Sequence, residues 1–198
     1  MSLFTRSYDV MARAHDRMGF ESKRRDLVAE AAGRVLEIGA GSGLNFRHYR
    51  PDRVGDLVAL EPSDDLMGRA RQRAGVCSVP VVLVRGVAEQ LPFATASFDV
   101  VLATLVMCSV VDSPLVLSEV RRVLRPGGRV LMLEHVRSQS PWLAQIQRLV
   151  TPCTVRLAGG CHQDRDTPSR VLEAGFSIDG EVRTNGSGIM VAIRATRA

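Results

Sequence analysis

Residues 35–43 read VLEIGAGSG. An apolar run leads straight into three glycines spaced by two, Gly39, Gly41 and Gly43. Such a run is a buried strand that stops in a turn where backbone must approach something closely. In an α/β chain that turn opens onto a helix start, whose unpaired N–H groups face a ligand. The chain on either side keeps the rhythm this demands. Residues 21–32 read as a helix closed by Gly33. Residues 34–38 are the first strand, and residues 57–60 the second, stopped by Glu61-Pro62. Ser63 is an N-cap for a helix to Ala74, with Asp64 and Asp65 in its first turn, where acids suit the helix dipole. Residues 79–84 and 98–103 are the third and fourth strands, the latter apolar on both faces as a central parallel strand is. Val116, Leu117, Val120, Val123 and Leu124 give a helical stripe over residues 114–124. Pro126-Gly127-Gly128 ends it, and residues 129–133 form a fifth strand. Residues 176–183 and 188–194 flank Asn185-Gly186, a hairpin signal. The expected fold is α/β: a doubly wound, mostly parallel sheet with helices on both faces and an antiparallel C-terminal hairpin. Residues 136–168 break the rhythm and hold Trp142, Cys153, Cys161 and His162. Inserted segments at strand ends carry specificity in such folds.

Composition removes several function classes. The longest near-apolar run, residues 100–111, is 12 residues interrupted by Thr104 and Ser109, too short for a membrane span. The first 15 residues carry Arg6, Asp9 and Arg13 and no apolar stretch of a secretory signal. Net charge is +5, but all 26 basic residues except Lys23 are arginine and they are scattered. Solvated helix faces account for them better than a nucleic-acid groove. Four cysteines without a CxxC pair suit a reduced, cytoplasmic setting. No nucleic-acid partner and no stable membrane insertion are therefore expected.

The loop itself narrows the ligand. Leu44 stands where a dinucleotide fingerprint starting at Gly39 needs its third glycine. Glu37, two residues before the loop, would repel a pyrophosphate and suits a cationic amino group. Glu61, ending the second strand, sits where a doubly wound fold places the acid that takes two ribose hydroxyls. A solvated residue beside a turn is its plainer account.

Four segments together, VLEIGAGSG, VALEPS, GVAEQLPFATASFDVV and EVRRVLRPGG, resemble class I S-adenosylmethionine-dependent methyltransferases of the ubiquinone/menaquinone-type branch. The likeness runs over about residues 20–135. It implies a Rossmann-like single domain over residues 1–198 that binds S-adenosylmethionine. Gly39, Ala40, Gly41, Ser42 and Gly43 would wrap its methionine portion and ribose, with Glu37 toward the amino end. Glu61 and Pro62 would meet the ribose, Ala88 and Glu89 the adenine, and Thr104 and Leu105 the reactive methyl. Val87 departs from the aspartate many relatives carry to bond the adenine amino group.

ESKRRDL, LNFRHYRP, TLVMCSV, LEHV and GGC further resemble the animal methyltransferase-like 7 proteins, which are alkyl-thiol S-methyltransferases. This implies methyl transfer to a small apolar acceptor, a thiol first. Methylation of a quinone, phenol or phospholipid amine, and a non-catalytic cofactor-binding module, are the alternatives. The animal members carry an N-terminal membrane helix that these first residues do not match. Residues 1–20 are then an N-terminal cap and residues 136–168 a substrate lid.

Among substrate-side candidates, His135 ends the fifth strand. Assisting deprotonation or pairing with a backbone carbonyl both stay open for it. Glu134 would orient it, although neighbouring strand residues point to opposite faces. Cys108 lies near the expected methyl position, where a small buried apolar residue is the plainer account. Trp142, His162 and Tyr8 are lid or cap contacts, with ordinary packing as the alternative. Cys153 and Cys161-His162 match no standard zinc spacing, so no metal is expected.

Overall fold

In the computed structural model, which describes residues 20–157, 159–183 and 188–198, the chain starts with helix α1 (Glu21–Val28) and strand β1 (Gly33–Ile38). Then follow β2 (Val54–Glu61), α2 (Asp64–Ala74), β3 (Val81–Arg85), β4 (Phe98–Thr104), α3 (Ser113–Val123) and β5 (Leu124–His135). The chain continues through α4 (Pro141–Leu157), α5 (Thr167–Glu173), β6 (Phe176–Arg183) and β7 (Met190–Arg197). The strands form one seven-stranded sheet ordered β3-β2-β1-β4-β5-β7-β6. β1 to β5 pair in parallel, and β7 lies antiparallel between β5 and β6.

The period of two along the strands builds two cores. Leu36 and Ile38 of β1, Val101 and Ala103 of β4, and Val130 and Met132 of β5 pack with Val116, Leu117 and Val120 of α3. Val35, Val100, Leu102, Leu131 and Leu133 face the other way, against Leu27 and Val28 of α1 and Ala70 of α2. Both faces are covered, so the central strands are apolar throughout. β1 runs beside β2 on one flank and β4 on the other. The strand order reverses there, which leaves a crevice beyond the strand ends.

Four expectations about elements are corrected. The glycine turn after β1 opens not onto an α-helix but onto a three-residue 3-10 helix, Phe46–His48. α1 stops at Val28, not residue 32, because Gly33 already belongs to β1 at φ +75° and donates its N–H to Arg53 O at 2.8 Å. Pro126-Gly127-Gly128 does not separate α3 from the next strand: β5 begins at Leu124 and absorbs these residues as an irregularity between Phe98↔Leu124 and Val100↔Arg129. Within the inserted segment 136–168, residues 141–157 are a 17-residue helix whose buried face is Ala144, Gln147 and Thr151, while Trp142, Ile146, Leu149 and Leu157 face outward. An apolar stripe read from sequence would turn this helix the wrong way. The N-cap at Ser63 forms as expected, its Oγ accepting from Leu66 N. Asn185-Gly186 and residues 1–19 lie outside the described residues. Among those described, no helix is long and apolar enough to cross a membrane.

Candidate active site

The turn after β1 rests on β2. Ala40 donates its N–H to Leu60 O (3.0 Å), and Gly43 donates to Ala40 O (2.9 Å). Glu61, 5% exposed at the end of β2, accepts from Gly41 N at Oε2 and from Ser63 N at Oε1, both at 2.9 Å. Two backbone donors thus fix the plane of the carboxylate and leave each oxygen a further lone pair. Burial raises the Glu61 carboxyl above its ordinary range, partly offset by those two hydrogen bonds.

Gly39, Gly41, Glu61 and Pro62 line a cleft of ≈ 470 Å³ whose far wall is Ala88, Glu89, Thr104 and Leu105. Gly39 is there for a steric reason: it sits at φ +61°, and a Cβ would stand 2.6 Å from Val106 Cγ2. Gly39→Ala is expected to cost about 1–3 kcal/mol of stability, from left-handed backbone plus overpacking, read as a lower urea midpoint at unchanged slope.

The far wall is held from behind. Glu134, fully buried, accepts from Val106 N (2.9 Å) and Cys108 N (3.4 Å), and burial raises its carboxyl. It braces the loop after β4 and turns away from the role of orienting His135. Leu105 holds φ +58°, a strained value for a branched residue, with its N–H donated to Leu133 O (2.9 Å). Glu89 Oε1 accepts from Val111 N (2.9 Å), tying the β3 side of the cleft to this loop.

Glu37 is 1% exposed and spends both oxygens on protein partners. Asn45 Nδ2 and Tyr49 Oη each donate to it at 2.8 Å. Asn45 Nδ2 also reaches Thr104 Oγ1 (3.0 Å), so Glu37 is coupled to the cleft wall through Asn45. Burial lifts its carboxyl to about 7, against the lowering effect of both hydrogen bonds and the charge of Arg24.

Ala40, Ser42 and Gly43 lie outside the lining of this cleft. Ser42 is fully buried and its carbonyl accepts from Arg73, and a Cβ on Gly43 would strike the Phe46 ring at 2.6 Å. Trp142, 65% exposed on α4, lines neither the cleft nor another described cavity. His162 donates its backbone N–H to Cys108 O (2.6 Å) and lines a separate polar depression with Asp112 and Arg170. Tyr8 lies outside the described residues. The inserted segment 136–168 reaches the cleft through Gly159. Arg165 clamps it to the loop after β4, donating to Met107 O (2.6 Å) and Val110 O (2.8 Å). Gln147 ties α4 down by accepting from Ser138 N (2.7 Å) and donating to Val136 O and Gln163 O, both at 2.9 Å.

The fold gathers Cys108, His135 and Cys161, with one ligand atom from each lying within 4.8 Å of the others. Cys161 Sγ is 3.7 Å from His135 Nδ1. Cys153, the other cysteine of the inserted segment, is exposed and stands apart.

A methyltransferase domain family matches residues 36–132. The thiol S-methyltransferase TMT1B of Homo sapiens is 34% identical over 167 residues, 79% of this chain and 68% of the relative. The chain belongs to the class I S-adenosylmethionine-dependent methyltransferases. A ubiquinone/menaquinone biosynthesis C-methyltransferase, UbiE of Dinoroseobacter shibae, is 33% identical over 170 residues, 84% of this chain and 68% of the relative. The methyltransferase shares its fold with a solved S-adenosylmethionine-dependent methyltransferase of Thermotoga maritima, described as a possible histamine N-methyltransferase. The TM-score is 0.72 at 22% identity, with 98% of both chains covered. The family implies S-adenosylmethionine as methyl donor.

The sequence reading missed the residues that brace this methyltransferase's site. Asn45 and Tyr49 stand in LNFRHYRP, but nothing local says that their side chains turn back to Glu37. Val106, Ser109, Val110 and Val111 line the cleft from TLVMCSV and the residue after it, a stretch whose likeness to relatives does not say which side chains face the cleft.

Proposed function

We propose that the enzyme methylates a small apolar thiol, with S-adenosylmethionine held between the ends of β1, β2 and β4. The observation that carries the donor site is Glu61, its two oxygens fixed by Gly41 N and Ser63 N at the rim of the cleft. The residues fit this donor. The glycine turn leaves room that a Cβ at Gly39 would fill, and Glu61 keeps lone pairs for two ribose hydroxyls. Ala88 and Val87 offer an apolar wall and Glu89 a carboxylate for the adenine end. Glu37 acts behind the loop, through Asn45 and Thr104, to hold the turn and to favour a cationic amino group nearby. When bound, S-adenosylmethionine supplies an electrophilic methyl group on a sulfonium sulfur.

Leu105, Val106, Val110 and Val111 make the rest of the cleft apolar, which supports an apolar acceptor. Such walls help align the acceptor sulfur, and alignment is most of what an in-line displacement requires. A thiol loses its proton near pH 8.5, so no strong base is needed. Relatives named thiol S-methyltransferases match 79–84% of this chain at 32–34% identity. The quinone enzymes match as widely, so the preference for sulfur rests on the segments TLVMCSV, LEHV and GGC and on the apolar cleft.

The test is S-adenosylhomocysteine formation with alkyl thiols, phenols, amines and quinols as acceptors. Turnover with thiols that rises with thiolate fraction is expected. Turnover confined to quinols or phenols would refute the acceptor assignment.

A further inference from the structure

We infer that Cys108, His135 and Cys161 form a site for a soft divalent ion, suited to Zn²⁺, and that its remaining coordination position takes the sulfur of the methyl acceptor. The ion site stands on the cluster alone; the acceptor half rests on the thiol reading above.

The donor set is two sulfurs and an imidazole, the combination that selects zinc among common divalent ions. At metal–ligand distances of about 2.0–2.3 Å, ligand atoms in a tetrahedral site lie roughly 3.5 Å apart. The three atoms here are within 4.8 Å of one another, so side-chain shifts of about 1 Å would close them on an ion. Among the described residues no fourth His, Cys, Asp or Glu joins the group. Three protein ligands with a vacant fourth position are the pattern of catalytic zinc, whereas structural sites are closed by four. The neighbouring carboxylate, Glu134, is engaged with Val106 N and Cys108 N.

None of the three lines the cleft itself, but each lies beside a part of the chain that does. Cys108 lies in the loop whose Leu105, Val106 and Ser109 line the cleft. Cys161 is two residues after Gly159, the residue of the inserted segment on the cleft wall. His135 ends β5, beside β4 through the Thr104↔Leu133 register. Cys108 and Cys161 are nearly buried while His135 is half-buried. Each of the three also stands in one of the segments TLVMCSV, LEHV and GGC that carry the narrower resemblance of the sequence.

The chemistry balances without another reactant. A thiol entering the fourth position gives up its proton to solvent and binds as thiolate. Its sulfur lone pair forms the new C–S bond. The bond between that methyl and the sulfonium breaks, and its electron pair stays on the departing sulfur. The products are the methyl thioether, S-adenosylhomocysteine and one proton. A neutral thioether is a poorer zinc ligand than a thiolate and leaves.

The experiment is metal analysis of the reduced full chain after equilibration with Zn²⁺ or Co²⁺ and removal of free ion. About one ion per chain is expected, with the sulfur-to-cobalt charge-transfer band and visible ligand-field bands of a tetrahedral site. Cys108→Ser, Cys161→Ser and His135→Gln should each cut ion affinity at least about 100-fold. S-adenosylmethionine binding and the unfolding transition, measured on all three variants, separate loss of the ion from loss of the fold. Adding an alkyl thiol should shift the cobalt bands, whereas a phenol should not. Chelation should lower thiol turnover at least tenfold or so, and Zn²⁺ should restore it. Wild-type protein that retains neither ion overturns the site. Cobalt bands blind to thiols, or full thiol turnover after chelation, overturn the acceptor half. An ion bound with these signatures in an enzyme that methylates only quinols supports the site while refuting the thiol reading.

Discussion

Replacing Glu61 with alanine is expected to weaken S-adenosylmethionine binding by roughly 10²–10⁴-fold. A hydrogen bond to an ionised group contributes about 1.5–3 kcal/mol, and two ribose hydroxyls are at stake. The arrangement explains why so few atoms carry so much. Gly41 N and Ser63 N, at 2.9 Å each, hold the carboxylate before any ligand arrives, so little ordering cost is left for binding. Glu61→Gln should also bind poorly, because its amide nitrogen must face one of those two backbone N–H groups. Calorimetric titration of both variants measures this, with unfolding curves as the control for the turn they anchor. The pH dependence follows from burial. The Glu61 carboxyl is raised above its ordinary range, so affinity should fall on acidification sooner than an exposed glutamate would cause. Wild-type affinity in Glu61→Ala would remove Glu61 from the donor site.

Glu37→Gln is expected to change how stability depends on pH. The Glu37 carboxyl is raised from 4.5 to about 7 in the folded protein. A raised carboxyl stabilises the fold relative to the unfolded chain below the lower value. That contribution is lost as pH climbs through the higher one, because the ionised form must be buried. Wild-type stability should therefore lose about 2–3 kcal/mol from this group between about pH 5 and pH 8, a loss that Glu37→Gln does not show. Both proteins share their other titrating groups, so the difference between their urea midpoints isolates the term. Saturating S-adenosylmethionine should flatten the wild-type slope, since an ammonium group near Glu37 favours the charged form. Parallel pH profiles for the two proteins would show that Glu37 is ionised on both sides of this range. In absolute terms Glu37→Gln should cost little stability at low pH, where the protonated carboxyl, like the amide, offers Tyr49 Oη and Asn45 Nδ2 one carbonyl oxygen and one hydrogen-bearing atom.

The strands β1 and β2, the glycine turn and the capped start of α2 could be read from sequence because their causes are local, whereas the helix expected after the glycines is only a 3-10 turn, Phe46–His48. Apolar runs of strand length, glycines at left-handed positions and a serine three residues before a free N–H are properties of consecutive residues. The parallel order followed from the alternation itself, through the crossover rule. α4 was hidden for an equally physical reason. Its inward face is Ala144, Gln147 and Thr151, and its apolar residues point outward. Gln147 is buried because it satisfies Ser138 N, Val136 O and Gln163 O, partners that exist only once the inserted segment is folded.

The site divides along the same line. The sequence alone determined the sheet, the glycine turn and the acid after β2, and with them the methyltransferase class, because each depends on spacing along the chain. Tertiary structure decided what surrounds them: that Glu37 is engaged by Asn45 and Tyr49, that Glu134 braces the loop after β4, and that Trp142 stands outside the cleft. It also brought Cys108, His135 and Cys161 together from two strand ends and the inserted segment. Burial, hydrogen-bond partners and ligand clusters depend on distances across the fold, and spacing along the chain does not encode which distant side chains will meet.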